Sequence, residues 1–217
     1  LGLEGQLSKK GTPTMGGLII LISFLISMLL FCDLTNKYVL LMIVSALWLG
    51  ALGFADDYIK VFRKNKEGLP GKYKIVFQIV LGVIVALTLC LGPDRITTLT
   101  TIPFFKGNEF DYAWLAPGSG MLKDALQVVV FVVIIVFIIT ACSNGSNLTD
   151  GMDGLATGVC AIAGITLGVL AYLGGNSIQA NYLNIMYLPQ SGEMAIVMAG
   201  FVGALAGFLW YNSYPAQ

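Results

Sequence analysis

Charge is what this sequence has least of. Only 11% of its 217 residues are Asp, Glu, Lys or Arg, against 57% that are apolar, and the mean hydropathy is +0.83. A soluble domain carries about twice that charge fraction, so a soluble globular protein is excluded. Histidine is absent. The four cysteines (Cys32, Cys90, Cys142 and Cys160) form no C-x-x-C pair and sit in or beside apolar runs. They read as small core hydrophobes, with neither a disulfide framework nor a metal site. No fixed-period repeat, low-complexity linker, Walker A loop or EF-hand spacing occurs. Twelve acids and twelve bases cancel, which points to no particular partner, and no nucleic-acid partner is expected.

What is present is long apolar runs. Residues 18–32, 38–55, 75–92, 125–142, 155–173 and 194–212 contain no Asp, Glu, Lys or Arg. Each approaches the roughly 20 residues that a bilayer core requires of a helix. The expected fold is therefore all-α: a polytopic transmembrane protein with six spans in one integral-membrane domain, residues 1–217. A signal peptide ending near "LLFC" is rejected, because its apolar region is too long and Phe31 is too bulky for a processing site. Gly and Pro punctuate the chain in "GTPTMGG", "EGLPGK" and "LAPGSG". The β-branched run "RITTLTTIPFF" predicts a short strand or hairpin, and the small-xxx-small spacing in "GALAG" predicts a helix-packing face.

Eight of the 12 Lys and Arg fall at residues 9–10 and 60–74. The positive-inside rule places those segments in the cytoplasm. Six alternating spans then bring residues 143–154 to the same face and send 33–37, 93–124 and 174–193 to the other. Three polar clusters share that cytoplasmic face. In "KKGTPTMGG" (residues 9–17), Pro13 suits a helix start and the threonines can cap it; a cytoplasmic flank with an anchoring Lys pair is the plainer reading. In "GFADDYIKVFRKNKEGLPGKYK" (53–74), a continued helix sets Asp56, Lys60 and Lys64 on one face. That pattern fits a juxtamembrane salt-bridge ladder and equally a phosphate site, where cations take the phosphates while acids hold a metal or remove a proton.

In "NGSNLTDGMDGLATG" (144–158), Asn147, Asp150 and Asp153 recur every three residues and share a side on a helix or tight turn. Gly151 and Gly154 allow close approach of a ligand to the backbone, and a helix starting here favours an anion. The plainer alternative is a Gly-rich turn with Asp as N-cap, which accounts for one carboxylate but not both. The span interiors lack the ionisable groups a transporter or proton relay uses. Chemistry is thus expected at the cytoplasmic surface, where a water-soluble phosphate donor meets a lipid acceptor.

In that order between spans, "KKGTPTMGG", "GFADDYIKV" and "NLTDGMDGLA" resemble the bacterial phospho-N-acetylmuramoyl-pentapeptide transferases, which are polyprenyl-phosphate hexosamine-1-phosphate transferases. The resemblance covers essentially the whole chain. It implies a Mg²⁺-dependent reaction in which undecaprenyl phosphate attacks UDP-N-acetylmuramoyl-pentapeptide, giving lipid I and UMP for peptidoglycan synthesis. Carried over by motif, Asp56, Asp57, Asp150 and Asp153 are the catalytic acids, with Asp56 the candidate for deprotonating the lipid phosphate. Because that phosphate has a second pKa near 6, placement can matter more than a base. Lys60, Lys64 and Lys72 match the basic residues around pyrophosphate and lipid phosphate. Asn147, with Asp150 and Asp153, matches the family's polar motif at the active site, where it would bind substrate. Gly151 and Met152 match positions beside the nucleoside, and Lys9 and Thr14 match substrate-side positions of the first motif. Asp57 and Asp150 are the implied Mg²⁺ ligands.

The implied partners are UDP-N-acetylmuramoyl-pentapeptide, undecaprenyl phosphate and the bilayer of the bacterial inner (plasma) membrane, with a homodimer left open. A sister transferase handing another UDP-hexosamine phosphate to the same lipid is the nearest alternative. A membrane transporter and a non-catalytic scaffold rank below it. Three departures from the family pattern stand out. Met152 replaces the usual Leu. The family's later Gly-Asp loop, which supplies a principal Mg²⁺ ligand, and its His-rich loop lie past "YPAQ". The family has ten spans against six here. Both ends are therefore expected to be cut, and this stretch alone is expected to be inactive.

Overall fold

The computed structural model describes residues 15–63, 68–91, 99–101, 109–117, 120–149 and 153–213. Seven helices account for most of it: α1 (Gly17–Phe31), α2 (Lys37–Phe62), α3 (Gly71–Leu91), α4 (Met121–Thr149), α5 (Leu155–Gly174), α6 (Ser177–Leu183) and α7 (Glu193–Asn212). A two-stranded hairpin, β1 (Leu99–Thr101) and β2 (Glu109–Asp111), lies between α3 and α4. Five helices, α2, α3, α4, α5 and α7, are long and apolar enough to cross a membrane. Their side chains are mostly exposed, as expected where lipid replaces a protein core. The first expected span appears as the 15-residue α1, about 22 Å at 1.5 Å per residue and short of a full crossing. The all-α polytopic architecture is thus present, as five long helices and one shorter apolar one among the described residues.

The helices also overrun the apolar runs that announced them. Helix α2 continues seven residues past the expected end at 55, because backbone hydrogen bonding tolerates charged side chains that an apolarity pattern cannot follow.

Close contacts divide the chain into two compact units, Leu1–Gly68 with Ser146–Gln217, and Leu69–Gly145. In the first, Phe24, Met28, Val39 and Val197 are buried together, and the Phe24 and Phe201 rings meet edge to face at 5.5 Å. Helices α1 and α5 both run antiparallel to α7. A Cβ on Gly16 would lie 2.5 Å from the Phe208 ring, and Gly200 faces Ser27. The Asp33 N–H donates to Glu193 Oε2 at 3.0 Å. Along α5, a Cβ on Gly164 would lie 3.0 Å from Val202 and one on Gly168 3.0 Å from Met198, while Gly154 faces Leu209. Small residues do carry the packing, but at Gly164, Gly168 and Gly200. The "GALAG" glycines expected to do so, Gly203 and Gly207, have nothing within 4 Å of a modest added side chain.

This arrangement sorts the ends of the first unit. One end collects the N-termini of α1 and α5 and the C-termini of α2 and α7, and is called the acidic end below. The opposite end collects the α1–α2 turn, α6 and the start of α7, and is called the capped end.

In the second unit, Ala86, Cys90, Tyr112 and Phe131 form a buried cluster beside the hairpin. The strands pair antiparallel, with Thr100 opposite Phe110. The expected hairpin is present, its first strand inside "RITTLTTIPFF" and its second beyond it. A Cβ on Gly82 would come 2.9 Å from the Val136 Cα, so glycine there lets α3 and α4 approach closely. Nearby, Gln78 is 2% exposed. Its Nε2 donates to Ser143 Oγ at 3.0 Å, and its Oε1 accepts from Asn144 Nδ2 at 3.0 Å. A buried amide in an apolar helix is tolerable only when satisfied in this way. All four cysteines are free. Cys90 is buried as expected, but Cys142 is exposed on the apolar surface of α4 rather than packed.

Candidate active site

The acidic pair lies inside helix α2 and not at its end. Asp56 is buried (6% exposed) although it carries a charge. Its partner is one turn away: Lys60 Nζ donates to Asp56 Oδ2 at 2.6 Å. Acid preceding base by four residues is the favourable order on a helix, and the bond is charge-assisted. Lys60 remains partly open to solvent, so its ammonium can face an incoming anion. Asp57, one residue on and about 100° around the helix, is half-buried.

Another face of α2 is aromatic. Phe54, Tyr58 and Phe62 follow at intervals of four, with ring centroids 6.1 and 4.6 Å apart, and all three are exposed. An apolar furrow of about 360 Å³ runs there along Phe54, Ala55, Tyr58, Ile59 and Arg63. Aromatic side chains at the end of a span suit the membrane–water boundary.

Gly68 closes over the Asp56–Lys60 pair. It is buried and adopts the left-handed conformation, φ +68°. A Cβ there would collide with Asp56 Oδ1 and come 2.7 Å from Lys60 Cε. Sequence reading took "EGLPGK" as mere punctuation. The two glycines and the proline signal a turn but not what the turn rests on.

The third motif straddles two helices. Helix α4 stops at Thr149 and α5 begins at Leu155, so Asn147 and Asp153 are not carried on one continuous helix. Asn147 is exposed in the last turn of α4, and Asp153 is half-buried in the turn before α5. The Asp N-cap of the plainer alternative is not formed at α5. Gly154 holds that position with φ +75° and no side-chain cap, and a Cβ on it would lie 3.3 Å from the Asn212 carbonyl oxygen. A left-handed residue pressed against the end of α7 requires glycine, which displaces aspartate from the cap. Helix α1 likewise starts behind Gly16 without a side-chain cap, and neither α1 nor α5 has an acid in its first turn.

The structure therefore joins Asp56 and Lys60 directly and sets Asp57 and Asp153 at the same end of the first unit. Lys72 is exposed near the start of α3, in the second unit. Lys9, Thr14, Lys64, Asp150, Gly151 and Met152 lie outside the described residues. Among the described residues no group of three or more His, Cys, Asp or Glu is placed to hold a metal ion. A polar cavity of about 400 Å³ at the capped end, lined by Asp33, Asn36, Gln190 and Glu193 among others, contains none of the motif residues.

Comparison with known proteins agrees with the motifs. Residues 38–217 match the family model described as glycosyl transferase family 4, and residues 9–21 match phospho-N-acetylmuramoyl-pentapeptide-transferase signature 1. The chain is 52% identical to the phospho-N-acetylmuramoyl-pentapeptide-transferase of Parabacteroides distasonis over 241 aligned positions, which take in all of this chain and 58% of that protein. It is 51% identical to the enzyme of that name from Flavobacterium psychrophilum (100% of this chain, 59% of the relative). Against the one from Porphyromonas gingivalis it is 52% identical (100% and 58%). The chain thus spans a little under three-fifths of the length of these relatives. With a family model matched across all but its first 37 residues, the chain belongs to glycosyl transferase family 4.

Proposed function

We propose that the protein transfers phospho-N-acetylmuramoyl-pentapeptide from UDP-N-acetylmuramoyl-pentapeptide to undecaprenyl phosphate, at the cytoplasmic face of the bacterial inner membrane. An oxygen of the lipid phosphate bonds to the sugar-bearing phosphorus, the pyrophosphate P–O bond breaks, and UMP leaves as lipid I forms. The observation that carries this reading is the Asp56–Lys60 pair, its carboxylate buried and its ammonium partly open, at the same end of the first unit as the uncapped starts of α1 and α5.

Transfer of this kind depends mainly on positioning and on stabilising charge. Lys60, held in place by Asp56, offers a fixed ammonium to a phosphate oxygen. The first-turn N–H groups of α1 and α5 add positive ends that favour an anion. Lys64 and Lys72 extend the cationic surface in this reading, with Lys9 and Thr14 on the substrate side and Asn147, Gly151 and Met152 toward the nucleoside. Asp153, in the turn behind Gly154, shapes the start of α5. The carboxylate of Asp56 is engaged by Lys60, which favours a role in placement over one as a free base.

Asp57 and Asp150 would hold Mg²⁺, a donor set that fits the ion's habit of taking one or two carboxylates with the rest from water and substrate phosphate. Bound there, the ion would neutralise charge developing on the pyrophosphate.

The test is direct. The full-length protein in lipid nanodiscs is given radiolabelled UDP-N-acetylmuramoyl-pentapeptide and undecaprenyl phosphate, with and without Mg²⁺. The expected product is lipid I, formed only with the metal. Absence of lipid-linked label under both conditions overturns the proposal.

A further inference from the structure

We propose that Gly68 is a positioning residue for the Asp56–Lys60 pair: a left-handed, side-chain-free turn that closes over the ion pair and holds both partners in register. The proposal deepens the reading above, in which the pair serves a phosphate site, but the experiment below reads the pair itself and not turnover.

Two independent requirements meet at this position. The first is conformational, since φ is +68°, a region that side chains other than those of Asn and Asp seldom enter. The second is spatial. A Cβ would collide with Asp56 Oδ1, and it would lie 3.2 Å from Asp56 Cγ and 2.7 Å from Lys60 Cε. A single added carbon would therefore press on both partners at once.

The contacts also divide the carboxylate. Oδ2 accepts from Lys60 at 2.6 Å, while Oδ1 is turned toward Gly68. With the Gly68 backbone on one side and the ammonium on the other, Asp56 has little room to rotate away, and its 6% exposure follows. Lys60, anchored at its tip and bounded at Cε, keeps its ammonium in a narrow range of positions. Pre-positioning of that kind is what electrostatic stabilisation of a phosphate requires. A glycine serving only as a flexible break would accept Asn, which tolerates the left-handed region. A glycine serving as a lid over the pair would not.

The experiment compares the chain in nanodiscs with its Gly68→Ala and Gly68→Asn variants after brief treatment with acetic anhydride. Mass spectrometry reads the acetylation of Lys60, with exposed Lys72 as internal reference. Release of the pair should raise Lys60 acetylation relative to Lys72 by about threefold or more in both variants, since an amine no longer held against Asp56 beneath the turn is more open to the reagent. Unchanged Lys60 reactivity in folded Gly68→Ala overturns the proposal, and so does wild-type behaviour of Gly68→Asn, which would leave conformation as the only constraint.

Thermal unfolding supplies a second arm should Gly68→Ala alone fail to fold. Combining it with Asp56→Ala removes the carboxylate that the new Cβ meets, so the loss of melting temperature, or of folding, caused by Gly68→Ala should shrink in that background. An equal loss in both backgrounds contradicts a role through the pair. If the lipid I assay fails while Lys60 reactivity responds, the transferase reading falls and the role of Gly68 stands.

Discussion

The two ends of the first unit treat their helix starts differently, although α7 at the capped end, like α1 and α5, begins behind a glycine without a side-chain cap. At the capped end the chain satisfies itself. Asn36 caps α2 by accepting from the Tyr38 N–H at 2.8 Å and donates to the Gln190 carbonyl at 3.0 Å. Asn176 caps α6 through the Ile178 and Gln179 N–H groups, and Glu193 complements the first turn of α7. At the acidic end, α1 and α5 begin behind glycines, with no side-chain cap and no first-turn acid. Among the described residues there, the buried acid Asp56 is bound to Lys60. A helix start with glycine in place of a capping Ser, Thr, Asn or Asp forgoes only about a few tenths of a kcal/mol. The contrast is that side-chain amides cap α2 and α6 at the capped end, whereas at the acidic end Asp56 binds Lys60 and glycines begin α1 and α5.

That contrast can be broken by mutation. The largest effect is expected for Asp56→Asn, which leaves Lys60 without its counter-charge. Turnover in the full-length protein should fall about 100-fold, the scale of losing one preorganised charge-stabilising element. Measured across pH, the same variant separates the two roles of Asp56. Loss of the acidic limb marks a proton acceptor, and an unshifted profile with a modest loss removes that role.

At the opposite end Asn36→Ala should act on stability alone. It deletes a cap and a second hydrogen bond from a buried side chain, a loss of about 1–2 kcal/mol in thermal unfolding, with turnover unchanged.

The smallest effect concerns Asp33, also at the capped end. The Thr35 hydroxyl, and then the Thr35 backbone N–H, hold its carboxyl below the ordinary value. A folded-state pKa below the unfolded one means that Asp33 stabilises the fold above the unfolded value of about 3.9 and that this is lost as pH falls through the folded one. Thr35→Val removes the hydroxyl bond and should therefore lower stability slightly at neutral pH, with the difference from the unmodified protein vanishing in thermal unfolding as pH falls below the folded value.

Much of the architecture could be read before any coordinates. Charge-free runs mark spans because a bilayer admits little else, and the spacing of Asp56 and Lys60 foretold their salt bridge. The misreadings share one cause: sequence shows what a segment permits, not what it rests against. "GALAG" has packing spacing, yet α5 and α1 meet other faces built on Gly164, Gly168 and Gly200. Asp153 and Gly154 both suit a helix start, and the proximity of the α7 end, invisible in the local pattern, selects glycine. Gly68 announced a turn, but Asp56 beneath it is twelve residues away. Nothing local marks Gln78 within its apolar run, because its partners Ser143 and Asn144 lie more than sixty residues later.

The central claim is that the acidic end receives the nucleotide substrate. A photoreactive uridine diphosphate, irradiated with the full-length protein in nanodiscs and mapped by mass spectrometry, tests it most directly. Adducts are expected near the C-terminal part of α2 and in the segment joining α4 to α5, and excess unlabelled UDP-N-acetylmuramoyl-pentapeptide should suppress them. Competable adducts confined to the capped end, around Asp33–Asn36 or Gly175–Glu193, would contradict the account.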